Sequence, residues 1–494
     1  MQFVDDLKAR AVRGGFARLC GQVANLALRI ISMAVLARLL DPEDFGLVAM
    51  ATVVTGVYGL FTTAGLSSAT VQQATITDQQ VSTLFWINIG VGIALAAMCA
   101  ASAPALVAFY HEPRLFWVTI ATGAGFVINA AGVQHSALLQ RQLSYVTLTA
   151  VELLCQVGST VVAVCMALAG LGYWALVAAT IVSPAIGTGC MWLATGWIPG
   201  PPRWGRGTLP MLRFGGVFTL NGLVVYVAYN FEKVLLGRFW GADALGVYGR
   251  AYQLVSIPAE NLNAAIGGVA FSALARLQHD PGRLRSYFLK GYSLVISLTI
   301  PTTISCALFS KDIVLILLGP KWLEAAAIFR FLAPTVLIFG MINPLSWLLL
   351  AVGRQGRSLA IALVIAPLVI SAYLIGLPYG PRGVAIAYSA AMTFWLIPHL
   401  AWCAHGTAIS LADLLLIVVR PLLSGIVAAL LAFVVQTQLD EWGTPAVRLL
   451  LEGGVMLSIY CLMLLLVMGQ GAFYLDLFHA LRSSSMSDRT ASLG

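Results

Sequence analysis

Apolar residues run along this chain in blocks of about 20, the length a helix needs to cross a bilayer, separated by short polar turns. About fourteen such blocks lie near 15–39, 46–66, 83–108, 115–136, 147–169, 172–196, 211–239, 245–270, 287–309, 325–350, 358–378, 382–404, 412–435 and 447–468. Six precede the Pro/Gly-rich segment Ile198-Pro199-Gly200-Pro201-Pro202-Arg203-Trp204-Gly205-Arg206, six follow it, and two are appended. The pattern predicts an all-α integral membrane protein. Its expected parts are a six-helix lobe over 1–196, a cytoplasmic linker over 197–210, a second six-helix lobe over 211–404, two further helices within 412–468, and a disordered tail over 483–494. The first block follows Lys8, Arg10 and Arg13 but is too long for a signal-peptide core and holds Arg18 and Arg29, so it reads as a retained span.

The turn that closes the first block returns in the second half. Val35-Leu36-Ala37-Arg38-Leu39-Leu40-Asp41-Pro42-Glu43-Asp44-Phe45-Gly46 is echoed by Leu235-Leu236-Gly237-Arg238-Phe239-Trp240-Gly241-Ala242-Asp243-Ala244-Leu245-Gly246, with Leu, Arg and Gly coinciding at 36/236, 38/238 and 46/246. Each copy closes one apolar block and opens the next, which reads as a tandem duplication. An even number of spans per half makes the two repeats parallel, related by an axis along the membrane normal.

Within the first block the polar positions are ordered. Arg18, Gln22, Asn25, Arg29 and Ser32 are spaced 4, 3, 4 and 3, which places them within an arc of about 80° on a helix. The duplicated block carries Thr219, Tyr226, Tyr229, Asn230 and Lys233 within about 100°, and the next adds Arg250 and Gln253 one turn apart, with Glu260 deeper. A cation such as Arg29 near mid-span costs about 2.5–3.5 kcal/mol or more unless it meets water or a partner. The matching faces therefore predict a water-filled cavity in which cations outnumber anions. Candidate substrate-binding residues are Arg18, Gln22, Asn25, Arg29, Tyr226, Asn230, Lys233, Arg250 and Gln253. Other readings stay open: Arg18 and Arg250 as interfacial anchors, Lys233 as a local pair with Glu232, and Arg29 as the partner of an acid such as Glu260. Glu152, in the fifth block, reads as an anchor or packing contact.

Composition agrees with the pattern and narrows the chemistry. Of the 494 residues 60% are hydrophobic and 10% charged, and the mean hydropathy is +0.89. That leaves too little polar surface for soluble domains. The net charge of +8 is spread between apolar blocks rather than gathered in a patch, so nucleic acid is not an expected partner. With the N-terminus cytoplasmic, Lys and Arg favour the inside segments roughly two to one, which predicts both termini inside. The eight Cys include no C-x-x-C pair, and no metal site or cofactor is expected; His399 and His405 stand alone. There is no G-x-x-x-x-G-K-[ST] phosphate loop and no H-E-x-x-H.

A surplus of Arg selects an anion, since guanidinium grips phosphate bidentately at any depth, while Tyr and amide side chains suit sugar rings. A lipid-linked, phosphate-bearing sugar meets both demands. The chain resembles the polysaccharide flippases of the multidrug/oligosaccharidyl-lipid/polysaccharide exporter superfamily, colanic-acid-exporter-like members in particular. The resemblance rests on Val35 to Leu47 (VLARLLDPEDFGL), Ile257-Pro258, Phe271 to Lys290 (FSALARLQHDPGRLRSYFLK), Leu318-Gly319-Pro320-Lys321-Trp322 and Gly340 to Arg354 (GMINPLSWLLLAVGR). It implies a fourteen-span, two-lobe, V-shaped transporter of the bacterial inner membrane. The expected task is moving undecaprenyl-diphosphate-linked oligosaccharide by alternating access for exopolysaccharide, capsule or O-antigen assembly. Membrane lipids, and the polymerase and glycosyltransferases of the same pathway, are the expected partners. Two alternatives stand beside this reading. A cation-coupled multidrug exporter would want an acidic cavity, and the first block holds no acid. A membrane polymerase or glycosyltransferase should present an acid/base pair or a large outer loop, and neither is visible.

Overall fold

The computed structural model describes residues 2–62, 70, 76–202, 208–439, 443–471 and 474, so the predicted tail at 483–494 lies outside the described residues. Helices follow one another without a strand among the described residues. They are α1 (Gln2–Leu39), α2 (Pro42–Thr62), α3 (Asp78–Tyr110), α4 (Leu115–Arg141), α5 (Tyr145–Leu168), α6 (Trp174–Thr195), α7 (Thr208–Arg276), α8 (Pro281–Leu308), α9 (Ser310–Leu317), α10 (Leu323–Leu332), α11 (Pro334–Ala351), α12 (Gln355–Gly376), α13 (Gly380–Ala404), α14 (Leu411–Leu439) and α15 (Pro445–Leu462).

Eleven runs among the described residues are long and apolar enough to cross a membrane. One of them, Gly356–Ala404, holds two of the predicted blocks joined by a 3-10 turn at Leu377–Tyr379. The blocks at 211–239 and 245–270 fall in α7, whose Glu232, Lys233, Arg238, Asp243 and Arg250 lower its apolarity. The block at 325–350 is divided by Pro334, which cannot donate the amide needed to continue α10 and instead opens α11.

By contact the chain forms two compact units. One comprises Met1–Ala251, Leu317–Ala325 and Leu359–Tyr388; the other Tyr252–Ile316, Ala326–Ser358 and Ser389–Gly494. In the first unit α3 packs on α4, α4 on α6, α5 on α6 and α1 on α5; in the second α8 packs on α11, α14 and α15. The second unit is pinned by Tyr460, whose hydroxyl donates to the Ser297 carbonyl at 2.9 Å, and by the buried Arg448–Asp312 pair at 2.6 Å.

The duplicated turns explain the organisation of the first unit. Copy one breaks at Asp41 and restarts with Pro42 as the first residue of α2, a position where the missing amide is not needed. Copy two breaks at Gly241, with φ 82° and ψ −178°, a backbone state that glycine adopts without a Cβ clash. The two turns then pack directly on one another, and reciprocally. A Cβ at Gly46 would stand 1.7 Å from the Ala242 carbonyl oxygen, and one at Gly246 would stand 1.8 Å from the Pro42 carbonyl oxygen.

Side chains lock this junction. Trp322, from the Leu318-Gly319-Pro320-Lys321-Trp322 stretch, is fully buried, donates its indole N–H to the Ala37 carbonyl at 2.7 Å and meets the Phe45 ring edge-on at 5.3 Å. Lys321 pairs with Asp41 at 2.7 Å, and Arg114 bridges Glu43 and Glu112 at 2.5 and 2.8 Å. These last pairs are exposed and contribute little individually. The hydrogen bond from Arg114 holds the Glu112 carboxyl below the ordinary range.

Asp243 goes the other way: burial raises it, and Glu324, Glu43 and Asp41 add repulsion. A raised folded-state value means that ionised Asp243 costs stability above that value, and stability returns as the pH falls through it. Asp243→Asn is therefore expected to raise the thermal midpoint modestly at pH 7 and by less at pH 4, as checked by thermal unfolding in detergent at both values.

Candidate functional site

The polar stripe of α1 points toward α5. The Arg18 guanidinium lies 5.7 Å over the Tyr145 ring, Gly21 abuts Thr149, and the Thr160 hydroxyl donates to Ser32 Oγ at 3.1 Å. The sequence offset stays at 127–128 across these three contacts, which requires the two helices to run parallel in one register. Tyr145, Thr149, Glu152, Gln156 and Thr160 thus form a polar ladder on α5 that faces the stripe. Its spacing of 4, 3, 4 and 4 was visible in the sequence but was not singled out there.

Between these helices, α2, α4 and α6 opens a cavity of about 630 Å³. Its polar lining comes from Asn25 of α1, Thr62 of α2, Asn129, Ser136 and Gln140 of α4, Glu152 and Gln156 of α5, and Ser183 and Thr188 of α6. Of the predicted substrate residues only Asn25 reaches it. Glu152, expected as an anchor, is an exposed carboxylate on its wall. The wall at α6 is fixed by the Thr188 hydroxyl and the Trp192 indole, which donate to the Ile128 and Ala131 carbonyls at 2.9 and 2.8 Å.

The other candidates separate by role. Arg18, Gln22 and Arg29 are exposed on the α1 stripe. Arg250 is half-buried, its guanidinium 4.0 Å above the Phe45 ring, and lies within electrostatic reach of Arg29. These two cations, predicted from different repeats, thus influence one another electrostatically. Tyr226 serves packing: its hydroxyl donates to the Thr52 carbonyl at 3.1 Å and its ring end lies against Gly56.

Asn230 donates to the Tyr226 carbonyl and accepts from Lys233 Nζ at 2.6 Å, so these two candidates satisfy one another. Lys233 turns to Asn230 rather than to Glu232. Glu232 is fully buried, and neither carboxylate oxygen meets a hydrogen-bond donor among the described residues. Gln253 follows Arg250 by one turn, half-buried, in the second unit; its carbonyl accepts from the Ser256 hydroxyl at 3.2 Å. Among the described residues no group of three or more His, Cys, Asp or Glu is placed to hold a metal. Arg238 packs over Phe109 and Phe239 at 5.8 and 5.9 Å.

A family model described as polysaccharide biosynthesis protein matches residues 35–327, more than half of the 494. The chain belongs to the polysaccharide biosynthesis protein family. The matched span begins at the first duplicated turn and ends just past the Trp322 dock, so it takes in the whole junction. This family member is 30% identical over 295 residues to the teichuronic acid biosynthesis protein TuaB of Bacillus subtilis (strain 168), a match covering 59% of this chain and 60% of that one. It is 26% identical over 376 residues to the lipopolysaccharide biosynthesis protein WzxC of Escherichia coli (strain K12), covering 75% and 76%. The chain thus spans about 60% of the length of TuaB and three quarters of WzxC. The solved structure of the lipid II flippase MurJ in an inward closed conformation covers 94% of this chain and 100% of its own, with a TM-score of 0.74 and 13% identity. It shares the fold.

Proposed function

We propose that this polysaccharide biosynthesis family protein is a flippase that carries a lipid-linked oligosaccharide across the bacterial inner membrane, with both termini cytoplasmic, and that Arg29 and Arg250 hold the diphosphate of the carrier. The observation that supports the reading is that Arg250 of the second repeat, held over the Phe45 ring, lies within electrostatic reach of Arg29 of the first. An anion bound near two like charges lowers their mutual repulsion. Guanidinium is the fitting group, because it stays charged at membrane depth and grips phosphate oxygens in pairs. The lipid tail needs no site, since it can stay in the bilayer while the head crosses. A polymerase or glycosyltransferase acting on the same lipid would need an acid/base pair within reach of the reacting bond. The pathway's polymerase and glycosyltransferases then act before and after this step on the same lipid-linked sugar.

The experiment is genetic and chemical together. A strain lacking this protein should accumulate lipid-linked oligosaccharide in the inner leaflet and lose surface polysaccharide, and the wild-type chain should restore both. Normal surface polysaccharide in the deletion strain, with no build-up of the lipid-linked form, would overturn the reading.

A further inference from the structure

The cavity between α1, α4, α5 and α6 has a different chemistry from the Arg29–Arg250 pair. Its described lining holds four amides, Asn25, Asn129, Gln140 and Gln156, together with one carboxylate, Glu152, and no cation. Amides present a donor and an acceptor on one plane, which suits vicinal hydroxyl or acetamido groups. Two of the four have nearby partners: Gln140 donates to Ser136 Oγ and Gln156 to Thr160 Oγ1, both at the long distance of 3.3 Å. Asn25, Asn129 and Glu152 carry no side-chain hydrogen bond among the described residues, so they are available to an incoming ligand. The volume of about 630 Å³ falls in the range of small-molecule sites, roughly 300–1,000 Å³. Asn129 to Gln140 spans three turns of α4, roughly 16 Å of wall, longer than a single sugar ring needs.

We propose that this cavity is a glycan subsite that takes uncharged or amine-bearing sugar rings and disfavours uronate or phosphorylated ones. The inference rests on the flippase reading and deepens it, since it places the sugar on α1, α4 and α5 while the diphosphate stays on the arginines. Glu152 supplies the selectivity: a carboxylate with no compensating cation in the lining repels a second anion and attracts a sugar amine.

Cys155 lines the same cavity, one turn from Glu152, and provides the readout. The full native chain in lipid nanodiscs is labelled with a cationic or an anionic methanethiosulfonate, and Cys155 modification is followed by peptide mass spectrometry. The cationic reagent should outpace the anionic one by at least tenfold after correction for their rates with a free thiol. In Glu152→Gln that preference should fall to near parity. Millimolar tetra-N-acetylchitotetraose should slow labelling several-fold, trigalacturonate should not, and Asn129→Ala with Gln156→Ala should lose the protection.

No labelling by either reagent, no charge preference, or equal protection by the uronate would overturn the proposal. Failure of protection together with normal complementation of the deletion strain would sink the subsite and leave the flippase reading standing. Protection of Cys155 in a chain whose loss causes no build-up of lipid-linked sugar would do the reverse.

Discussion

Replacing Gly46 or Gly246 with alanine is expected to cut export at least tenfold while leaving the protein in the membrane at near its normal level. The reason is geometric. The new methyl groups would stand 1.7 and 1.8 Å from the carbonyl oxygens of Ala242 and Pro42, where Cβ atoms essentially never come closer than 3.0 Å. Both obstacles are backbone, so no side-chain rotation relieves them, and the two turns must move apart by more than an ångström. Interiors transmit such a misfit rather than absorb it. The level of each variant in the membrane, measured beside export, separates damage at the junction from loss of folding. The direct check uses Ala242→Cys, which sits beneath Gly46. A membrane-impermeant thiol reagent should label it several-fold faster in the Gly46→Ala background. Unchanged export and unchanged labelling would show that the junction does not matter.

At the junction the two duplicated turns meet backbone on backbone at Gly46 and Gly246, a contact made of many small dispersion terms. Trp322 fixes copy one of the turn by its bond to Ala37, and Arg250 caps Phe45 from copy two. The charges at the rim, Lys321 with Asp41 and Arg114 with Glu43 and Glu112, are exposed or half-buried. The Pro/Gly-rich segment at 198–206, expected within the linker between lobes, is held at its start. The Trp86 indole donates to the Gly200 carbonyl at 2.9 Å and the Gly200 amide to Ser82 Oγ at 3.0 Å. Residues 203–207 lie outside the described residues.

The duplication and the helical spans could be read from the sequence because each depends on local pattern: block length, turn residues, and identities at a fixed offset. Partnership could not. The α1 stripe correctly marked a polar face, yet nothing in its own periodicity said that the face meets α5. Glu152 and Gln156, which line the cavity, belong to a polar ladder that the sequence does show, but its spacing does not name the helix it faces. On α7 the same periodicity that suggested a substrate face is spent internally: Lys233 on Asn230, Asn230 on Tyr226, Tyr226 on Thr52. Adjacent Glu232 and Lys233 suggested a pair, but neighbours on a helix project about 100° apart and rarely meet. The break at Pro334 was hidden because the apolar block continues on both sides of it.

Arg29 and Arg250 should respond differently to the same substitutions, and the difference separates substrate binding from packing. Arg29 is the more exposed of the two, so Arg29→Ala should lower the thermal midpoint less than Arg250→Ala does while export falls. The loss of charge-assisted hydrogen bonds, about 1.5–3 kcal/mol, corresponds to roughly tenfold to hundredfold. Arg29→Lys keeps a point charge and should recover part of the activity. Arg250 also stacks on Phe45 at 4.0 Å, and cation–π contacts of this kind are worth roughly 0.5–2 kcal/mol. Arg250→Ala should therefore lose export and lower the thermal midpoint together. Arg250→Lys should recover less than Arg29→Lys, because an ammonium cannot stack as a plane on the ring and hold phosphate oxygens in pairs at once. The measurements are export in the deletion strain and thermal unfolding of the purified variants. Full export in Arg29→Ala would remove the phosphate role from α1. Equal behaviour of the two Lys variants would mean that Arg250 acts through charge alone, with the Phe45 stack as a bystander.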